Sequence, residues 1–321
     1  MEDYTSGKLK AYVEVRGGVV SLDLNREGLS RVPDAVTELT EVQELRLDDN
    51  NLTELPTSIN KLKYLMRLHL NGNKLTELPS EIGDLKELRS LDVRGNQLVS
   101  LPTSIQKLNQ LEWLYLSKNK LRELPSEIGD LKELRWLDVS SNELFSLPTS
   151  IEKLNQLDEV HLRRLDVSNN ELVSLPTSIQ KLNQLKRLDL KSNNFTELPS
   201  EIMDLKELRS LDVSNNLLVS LPTSMQKLNQ LEELGSYGNR LTELPSEIGD
   251  LKELRRLDVR YNQLVSLPTS IQELNQLEEL HLYGNKLTEL PSEIGDLKEL
   301  RCLDVSGNPV MVVMSSMFIT G

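Results

Sequence analysis

The chain has 321 residues and a formal net charge of −13, and aromatic residues make up only 4% of it. This acidic excess argues against sequence-independent binding to nucleic acid or to an anionic membrane, and it favours a basic partner. The single cysteine, Cys302, excludes an internal disulfide and gives no sign of an oxidising compartment. The N-terminal segment lacks the apolar core of a signal peptide and no run is long enough to span a membrane, so the chain is predicted to be cytoplasmic.

Residues 1–18 precede the first repeat, and the alternation between Ala11 and Val15 predicts a capping strand over the open end of the array. A 23-residue pattern then recurs from residue 19 to 309, L-x-x-L-x-L-x-x-N-x-L-x-x-L-P-x-x-I-x-x-L-x-x. It forms twelve repeats and a partial thirteenth, of which the first is atypical, as expected of a capped array. The copies begin at Val19, Val42, Leu65, Leu88, Leu111, Leu134, Leu162, Leu185, Leu208, Leu231, Leu254, Leu277 and Leu300.

Each part of the pattern predicts one piece of structure. The L-x-L core has the period of two expected of a strand with one buried face. The Asn falls where the chain leaves the strand, and its buried amide is expected to bond backbone groups of adjoining turns. Leu-Pro opens a return limb, a short helix or 3-10 turn, whose Ile and Leu pack back onto the strand. One copy cannot close a core, so the copies are predicted to stack.

The repeat register breaks once, at residues 157–162. Comparison with the copy that contains His281 shows that the segment equivalent to YGNKLTELPSEIGDLKEL is missing there. We predict one strand at residues 164–167, with residues 157–161 displaced as a bulge, and a kink in the solenoid is the alternative.

Farther along, Ser236 takes a core leucine position and is expected to weaken its strand. Residues 310–321 form an apolar tail, either a plug over the last coil or the point where further sequence is missing.

The LPxxIxxL return limb and its 23-residue spacing, broken only at residues 157–162, resemble the intracellular leucine-rich repeat proteins of the Ras-binding scaffold type and their plant Ras-group relatives, over residues 19–309. The resemblance implies an α/β fold, a leucine-rich repeat solenoid curved as a horseshoe, with a concave parallel β-sheet and short helices or 3-10 turns on the convex side. It implies a non-enzymatic protein-binding scaffold in intracellular signalling, with a small GTPase or a phosphatase as candidate partner. The resemblance does not indicate an oligomeric state.

Arrays of this kind also serve as sensor modules of immune receptors and as parts of bacterial effectors. The alternative function is therefore the ligand-recognition domain of a larger immune-type sensor or receptor, and a third, weaker one is the targeting part of an effector enzyme.

The side chains between and after the core leucines of each strand are expected on the concave face. The two tryptophans of the chain, Trp113 and Trp136, hold equivalent positions in neighbouring strands, with Tyr115 on the same face. Exposed aromatic groups are typical anchors of protein interfaces, so we take this patch as the centre of the binding surface. The alternative is that the rings only pack on one another and on arginine stems.

Two further groups complete the predicted surface. An acidic row holds the same position in four successive strands and favours a basic partner, unless Arg164, Arg187 and Lys191 compensate it. The members of this row are Asp138, Asp166, Asp189 and Asp212. A second aromatic group is expected at the far end of the same face and comprises Tyr237, Tyr261, Tyr283 and His281.

No catalytic, cofactor or metal site is predicted. His69, His161 and His281 fall in widely separated repeats, and the sequence has neither an HExxH motif nor paired cysteines. The Gly-Asp of each SEIGDLKEL segment is expected in a turn of the convex limb rather than in a phosphate-binding loop. The chain is therefore predicted to be no enzyme and to need no cofactor.

Overall fold

Short strands alternate with 3-10 helices along the computed structural model, which describes residues 9, 12–155 and 162–309. The strands of these residues are β1 Val13–Arg16, β2 Val19–Asp23, β3 Glu44–Arg46, β4 Arg67–His69, β5 Ser90–Asp92, β6 Trp113–Tyr115, β7 Trp136–Asp138, β8 Arg164–Asp166, β9 Arg187–Asp189, β10 Ser210–Asp212, β11 Glu233–Gly235, β12 Arg256–Asp258, β13 Glu279–His281 and β14 Cys302–Asp304.

One 3-10 helix follows each strand from β2 to β13. Their bounds are Asp34–Glu38, Thr57–Lys61, Ser80–Asp84, Thr103–Lys107, Ser126–Asp130, Thr149–Asn155, Thr177–Lys181, Ser200–Asp204, Thr223–Lys227, Ser246–Asp250, Thr269–Glu273 and Ser292–Asp296.

The chain divides into two compact units, Met1–Arg164 and Leu165–Gly321, and each is described by itself. The division falls within β8, directly after the predicted break in the repeat register. The strand predicted after the break is present and ends at Asp166, one residue earlier than expected. The predicted bulge at residues 157–161, His161 and the apolar tail at 310–321 lie outside the described residues.

In the first unit, β2 to β7 pair in chain order as parallel strands, and each residue lies opposite its equivalent in the next repeat. The edge strand β1 pairs antiparallel with β2, through a turn at Gly17 and Gly18. Both glycines have positive φ, 58° and 83°, which a two-residue hairpin turn requires. In the second unit, β9 to β14 form the same parallel arrangement.

The core lies between the strands and the 3-10 helices of each unit. The middle residue of each three-residue strand is a leucine that turns inward, as Leu114 does with no exposed surface, while the residues beside it face outward. The helix isoleucine and the leucine after the helix, Ile105 and Leu108, meet it from the other side and are also fully buried. Stacked coils thus close a core that one coil leaves open.

The return limb is a 3-10 helix in every described coil, which decides between the two possibilities that the sequence left open. The proline stands one residue before the helix in extended conformation, as at Pro102 with φ −69° and ψ 143°. Its carbonyl accepts the N–H of Ile105 at 3.0 Å, and the carbonyl of Ile105 accepts the N–H of Leu108 at 3.0 Å. The stretch between proline and leucine is too short to propagate an α-helix, and a 3-10 turn closes its hydrogen bonds sooner.

The serine at a core leucine position, Ser236, does not prevent its strand from forming. β11 pairs with both neighbours in the common register. Ser236 itself is fully buried, and its Oγ has no hydrogen-bond partner within the described part of the chain. The predicted weakness therefore lies in the core beneath the strand, where a hydroxyl replaces the aliphatic group of other coils.

The asparagine that follows each strand from β3 to β14 joins neighbouring coils, which confirms the bonding expected of its amide. In the coil of β10, the Asn216 side-chain oxygen accepts the N–H of Phe195 at 3.1 Å. Its amide group donates to the carbonyls of Leu190 and Val213, each at 3.0 Å. One buried side chain therefore satisfies backbone groups of two coils where neither forms regular structure.

Replacement of Asn216 by Ala is expected to lower the free energy of unfolding by about 1–3 kcal/mol, because it leaves these buried backbone groups without partners. Urea unfolding followed by circular dichroism measures the change. Asn229→Ala, at an exposed asparagine of the same coil, is the matched control and is expected to change stability by less than about 0.5 kcal/mol. Equal effects of the two substitutions would count against the role of the ladder.

A glycine in the SEIGD type of 3-10 helix allows the next coil to approach closely. A Cβ added to Gly249 would lie 2.4 Å from the backbone oxygen of Ser270, which is too close for any side chain. The same sequence recurs at Gly295, where a Cβ would meet no described residue within 4 Å. In the coil of β9 this position is Met203, and the coil after it carries Met225 in place of the usual isoleucine.

Gly249→Ala is expected to destabilise the protein by about 1–3 kcal/mol, because its methyl group forces two coils apart. Gly295→Ala is the matched control in an identical pentapeptide and is expected to be neutral or slightly stabilising, because it only restricts the unfolded chain. Thermal unfolding of both variants tests this, and a stable Gly249→Ala protein would contradict the close approach.

Candidate protein interface

Trp113, Tyr115 and Trp136 come together on the outward face of the sheet in the first unit. The parallel register places Trp113 of β6 directly opposite Trp136 of β7, as the equivalent repeat positions predict. The ring centroids of Tyr115 and Trp136 are 5.5 Å apart, with an angle of 62° between the ring planes. All three side chains are half-buried. We call these three residues the aromatic patch.

Two arginines bracket the aromatic patch. The Arg94 guanidinium lies 5.1 Å from the centre of the Tyr115 ring, and that of Arg164 lies 4.7 Å from the Trp136 ring. Asp92 fixes Arg94 through hydrogen bonds of 2.6 and 2.9 Å. The rings therefore pack on one another and on arginines while one side stays open to solvent. Burial raises the pKa of Tyr115, so its hydroxyl is a neutral donor at physiological pH.

The predicted acidic row is distributed over both units. Asp138 belongs to the first unit, where its Oδ1 accepts the N–H and the hydroxyl of Ser140 at 3.0 and 2.7 Å. In the second unit, Asp189 and Asp212 lie opposite each other in neighbouring strands. Each accepts the N–H of the residue two positions on, so the row also holds the turns that leave the strands.

Nearby cations do not fully compensate the Asp189 carboxylate of the second unit. Burial, together with the nearby carboxylates of Asp166 and Asp212, raises the pKa of Asp189 to about 6, although the hydrogen bond from the Lys191 N–H and the charge of Arg187 oppose the shift. Arg164, which the sequence predicted as a compensating cation, lies over the Trp136 ring instead. The charge of Asp189 is therefore held unfavourably in the folded chain.

The second aromatic group lies beyond the strands rather than on them. Tyr237, Tyr261 and Tyr283 occupy the turns that follow β11, β12 and β13. Their rings pack edge to face, with centroids 5.3 and 4.9 Å apart. His281 ends β13 and contacts the Glu279 carboxylate at 3.1 Å. We call the three tyrosines the tyrosine ladder.

Tyr261 holds the ladder in an uncommon backbone conformation. Its φ is +50°, a left-handed value that bulky residues seldom adopt. The equivalent residues of the adjacent coils, Gly238 and Gly284, have φ of 67° and 69°, so the repeat imposes this conformation. A Cβ on Gly284 would lie 3.1 Å from the Tyr261 ring, so the missing side chain of Gly284 makes room for the ring, which remains half-exposed.

One charged cluster was not predicted from the sequence. Glu44 of β3 is buried and forms ion pairs with Arg46 at 2.9 Å and with Arg67 at 3.1 Å, and His69 Nε2 lies 3.3 Å from the same carboxylate. Burial alone would raise the pKa of Glu44, but hydrogen bonds from Arg67 and Arg46 hold it below its usual value. Opposite charges in one register row, Glu44 and Arg67, were the available signal. The cluster is internally paired and stabilises the first coils.

Within the described residues, no group of three or more histidine, cysteine or acidic side chains is arranged to hold a metal ion. The same residues contain no helix with the length and apolar character needed to cross a membrane.

A stack of strand, asparagine turn and 3-10 helix, repeated at a constant period, defines a parallel-β repeat solenoid. Models of the leucine-rich repeat region match residues 158–240 and 234–305, and models of the leucine rich repeat match residues 40–98 and 99–144. A leucine-rich repeat protein of Leptospira interrogans is 33% identical, with a TM-score of 0.64 and coverage of 95% of this chain and 93% of that one. The chain belongs to the leucine-rich repeat family.

Other solved structures share the fold. The plant peptide hormone receptor RGFR1, solved in complex with RGF2, is 29% identical with a TM-score of 0.75, and the match covers 92% of this chain and 48% of the receptor. The internalin inlF of Listeria monocytogenes is 22% identical with a TM-score of 0.80, over 97% of this chain and 85% of that one, which shows the fold alone. A search of curated proteins gave no match. Neither family model describes a catalytic domain.

The raised pKa of Asp189 has a consequence for stability. The folded-state value of about 6 exceeds the ordinary 3.8, so the folded chain binds this proton more tightly than the unfolded chain. The contribution of Asp189 to stability is full below pH 3.8 and is lost as the pH rises through about 6.

Asp189→Asn is therefore expected to stabilise the protein by about 1–2 kcal/mol at pH 7.5 and to have little effect at pH 4. The asparagine oxygen can still accept the N–H of Lys191, so the turn is retained. Urea unfolding at the two pH values measures the difference. A variant that is less stable than the parent at pH 7.5 would contradict an unfavourable charge at this position.

Proposed function

We propose that the chain is a non-enzymatic protein-interaction module that binds a protein partner on the sheet face of its first unit. The aromatic patch of Trp113, Tyr115 and Trp136 is the centre of this interface. The observation that supports it best is the direct juxtaposition of the two tryptophans of the chain on one outward strand face, half-open to solvent.

The physical argument rests on preorganisation. Tryptophan, tyrosine and arginine are the residues that most often dominate binding energy at protein interfaces. Here Arg94 and Arg164 hold the rings in place, and Asp92 holds Arg94, so a partner meets side chains that have already lost much of their freedom. Binding then costs less conformational entropy for each ordered side chain.

The finer role follows from the sequence resemblance. We propose a cytoplasmic scaffold in signal transduction, of the Ras-group type, with a small GTPase or a phosphatase as partner. A second candidate is the ligand-recognition domain of a larger receptor. It is favoured by the matched plant receptors, solved with RGF2 and with CASPARIAN STRIP INTEGRITY FACTOR 2, of which this chain spans only 48% and 40%.

The test is affinity capture from a lysate of the source organism, with the intact chain and the Trp113→Ala/Trp136→Ala double variant as parallel baits. Loss of two aromatic anchors is expected to weaken a specific partner at least about 30-fold, which corresponds to ~2 kcal/mol. Quantitative mass spectrometry measures recovery, and circular dichroism establishes that both baits are folded.

Phe145→Ala is the matched control, because Phe145 is a large aromatic residue, 55% exposed, that lies in the turn between β7 and the following 3-10 helix. It is expected to leave capture unchanged. A captured small GTPase or phosphatase supports the scaffold role, and a captured secreted peptide supports the receptor role. Equal recovery by the double variant would place the interface elsewhere.

A further inference from the structure

A notch interrupts the outward face of the sheet in the second unit. Every other strand from β9 to β14 ends in a residue with a side chain, Asp or His, whereas β11 ends in Gly235. The register places Gly235 between Asp212 and Asp258. The missing side chain leaves a concavity of about 280 Å³ between these two carboxylates.

Most charged groups around the notch already have partners, whereas Arg187, a cation that also lines it, forms no ion pair among the described residues. The Asp258 carboxylate binds the Arg260 guanidinium at 2.6 Å, and Arg256 binds Glu279 at 3.1 Å. Asp212 accepts the backbone N–H of Ser214 at 2.9 Å, but among the described residues no cationic group lies within ion-pair distance of it. The same holds for Asp189, its neighbour in β9. Two adjacent carboxylates thus lack an ion-pair partner in the part of the chain that the structure describes.

The Asp212 carboxylate, which has no ion-pair partner among the described residues, directly borders the concavity. A Cβ placed on Gly235 would lie only 2.7 Å from Asp212 Oδ1. This oxygen therefore lines the volume that a side chain from a partner would enter. Charged walls make the notch a poor site for an apolar group, because such a group would leave the carboxylates desolvated and unpaired.

We propose that this notch receives a lysine or arginine side chain of an extended polypeptide partner, with the Asp212 carboxylate as its acceptor and Asp189 adding to the attraction. The inference rests on the proposed function and specifies the partner chemistry at a second surface of the same module. Asp189 and Asp212 repel each other at strand spacing, and a cation in the notch, on the other side of Asp212, offsets the charge of Asp212.

The tyrosine ladder borders the notch and defines the neighbours of the basic residue. The backbone N–H of Tyr237 donates to Ser214 Oγ at 3.1 Å, so this hydrogen bond links Tyr237, the first residue of the ladder, to a residue that lines the notch. Arg260 lies 5.6 Å from the centre of the Tyr237 ring while it pairs with Asp258. Residues next to the lysine or arginine therefore pack against Tyr237 and Tyr261, which favours an apolar or aromatic neighbour.

The test is selection from a phage-displayed library of random dodecapeptides. The library is panned in parallel on the intact protein and on the Gly235→Arg variant, in which an arginine of the protein fills the notch. Arginine occurs at this position of the repeat, because Arg46 ends β3, although at Gly235 its Cβ would displace the Asp212 carboxylate. Peptides enriched on the intact protein are expected to contain a lysine or arginine beside an apolar or aromatic residue.

Synthetic copies of the enriched peptides are then measured by fluorescence anisotropy. Gly235→Arg and Asp212→Asn are each expected to weaken binding at least about tenfold, as is an increase in NaCl from about 50 to 500 mM, which screens the attraction. Asp212→Asn keeps the acceptor for Ser214, so it remains informative if Gly235→Arg does not fold. The Trp113→Ala/Trp136→Ala variant is expected to bind these peptides as the parent does.

Three outcomes would overturn the inference. They are enrichment of peptides without a basic residue, binding that both notch variants retain, and no enrichment on the intact protein. Binding lost only in the tryptophan variant would also reject the notch, but it would support the proposed function at the aromatic patch. Capture from lysate tests the patch independently, so failure of one proposal is distinguishable from failure of the other.

Discussion

The buried asparagine at the end of each strand is the interaction on which the repeat structure depends. A three-residue strand has too few hydrogen bonds of its own to fix the position of the next coil. The asparagine amide supplies bonds at the turn, where Asn216 satisfies groups of Phe195, Leu190 and Val213. Hydrophobic burial drives coils together without direction, whereas this amide sets their register. All outward side chains are then placed at fixed strand spacing.

Because the register is fixed, residues at equivalent repeat positions align in rows across neighbouring strands. These rows determine which chemical groups the outward face of the sheet presents. Trp113 and Trp136 meet because they hold equivalent positions in successive repeats, and Asp189 and Asp212 repel each other for the same reason. Residues that depart from the repeat are then the informative ones. Gly235 opens a notch in the sheet, and Tyr261 brings an aromatic ring to a left-handed turn position that neighbouring coils fill with glycine. The notch at Gly235 and the turn at Tyr261 both lie in the second unit, close to each other.

The two surfaces suit different partners. The aromatic patch of the first unit combines rings with arginines that are already held in place, which suits a broad protein interface. The notch of the second unit combines carboxylates that lack an ion-pair partner among the described residues with a small concavity, which suits one cationic side chain. The charge distribution favours a basic segment of a partner at the notch.

The sequence by itself determined the leucine-rich repeat fold, the strand positions, the asparagine ladder and the meeting of Trp113 with Trp136, because each follows from a constant period. The tertiary structure decided what period alone cannot. It selected 3-10 helices for the return limb, placed the tyrosines in the turns after β11, β12 and β13, and placed Arg164 on Trp136. It also revealed the notch at Gly235 and the Glu44 cluster, because side-chain packing, burial and charge pairing depend on neighbours in three dimensions.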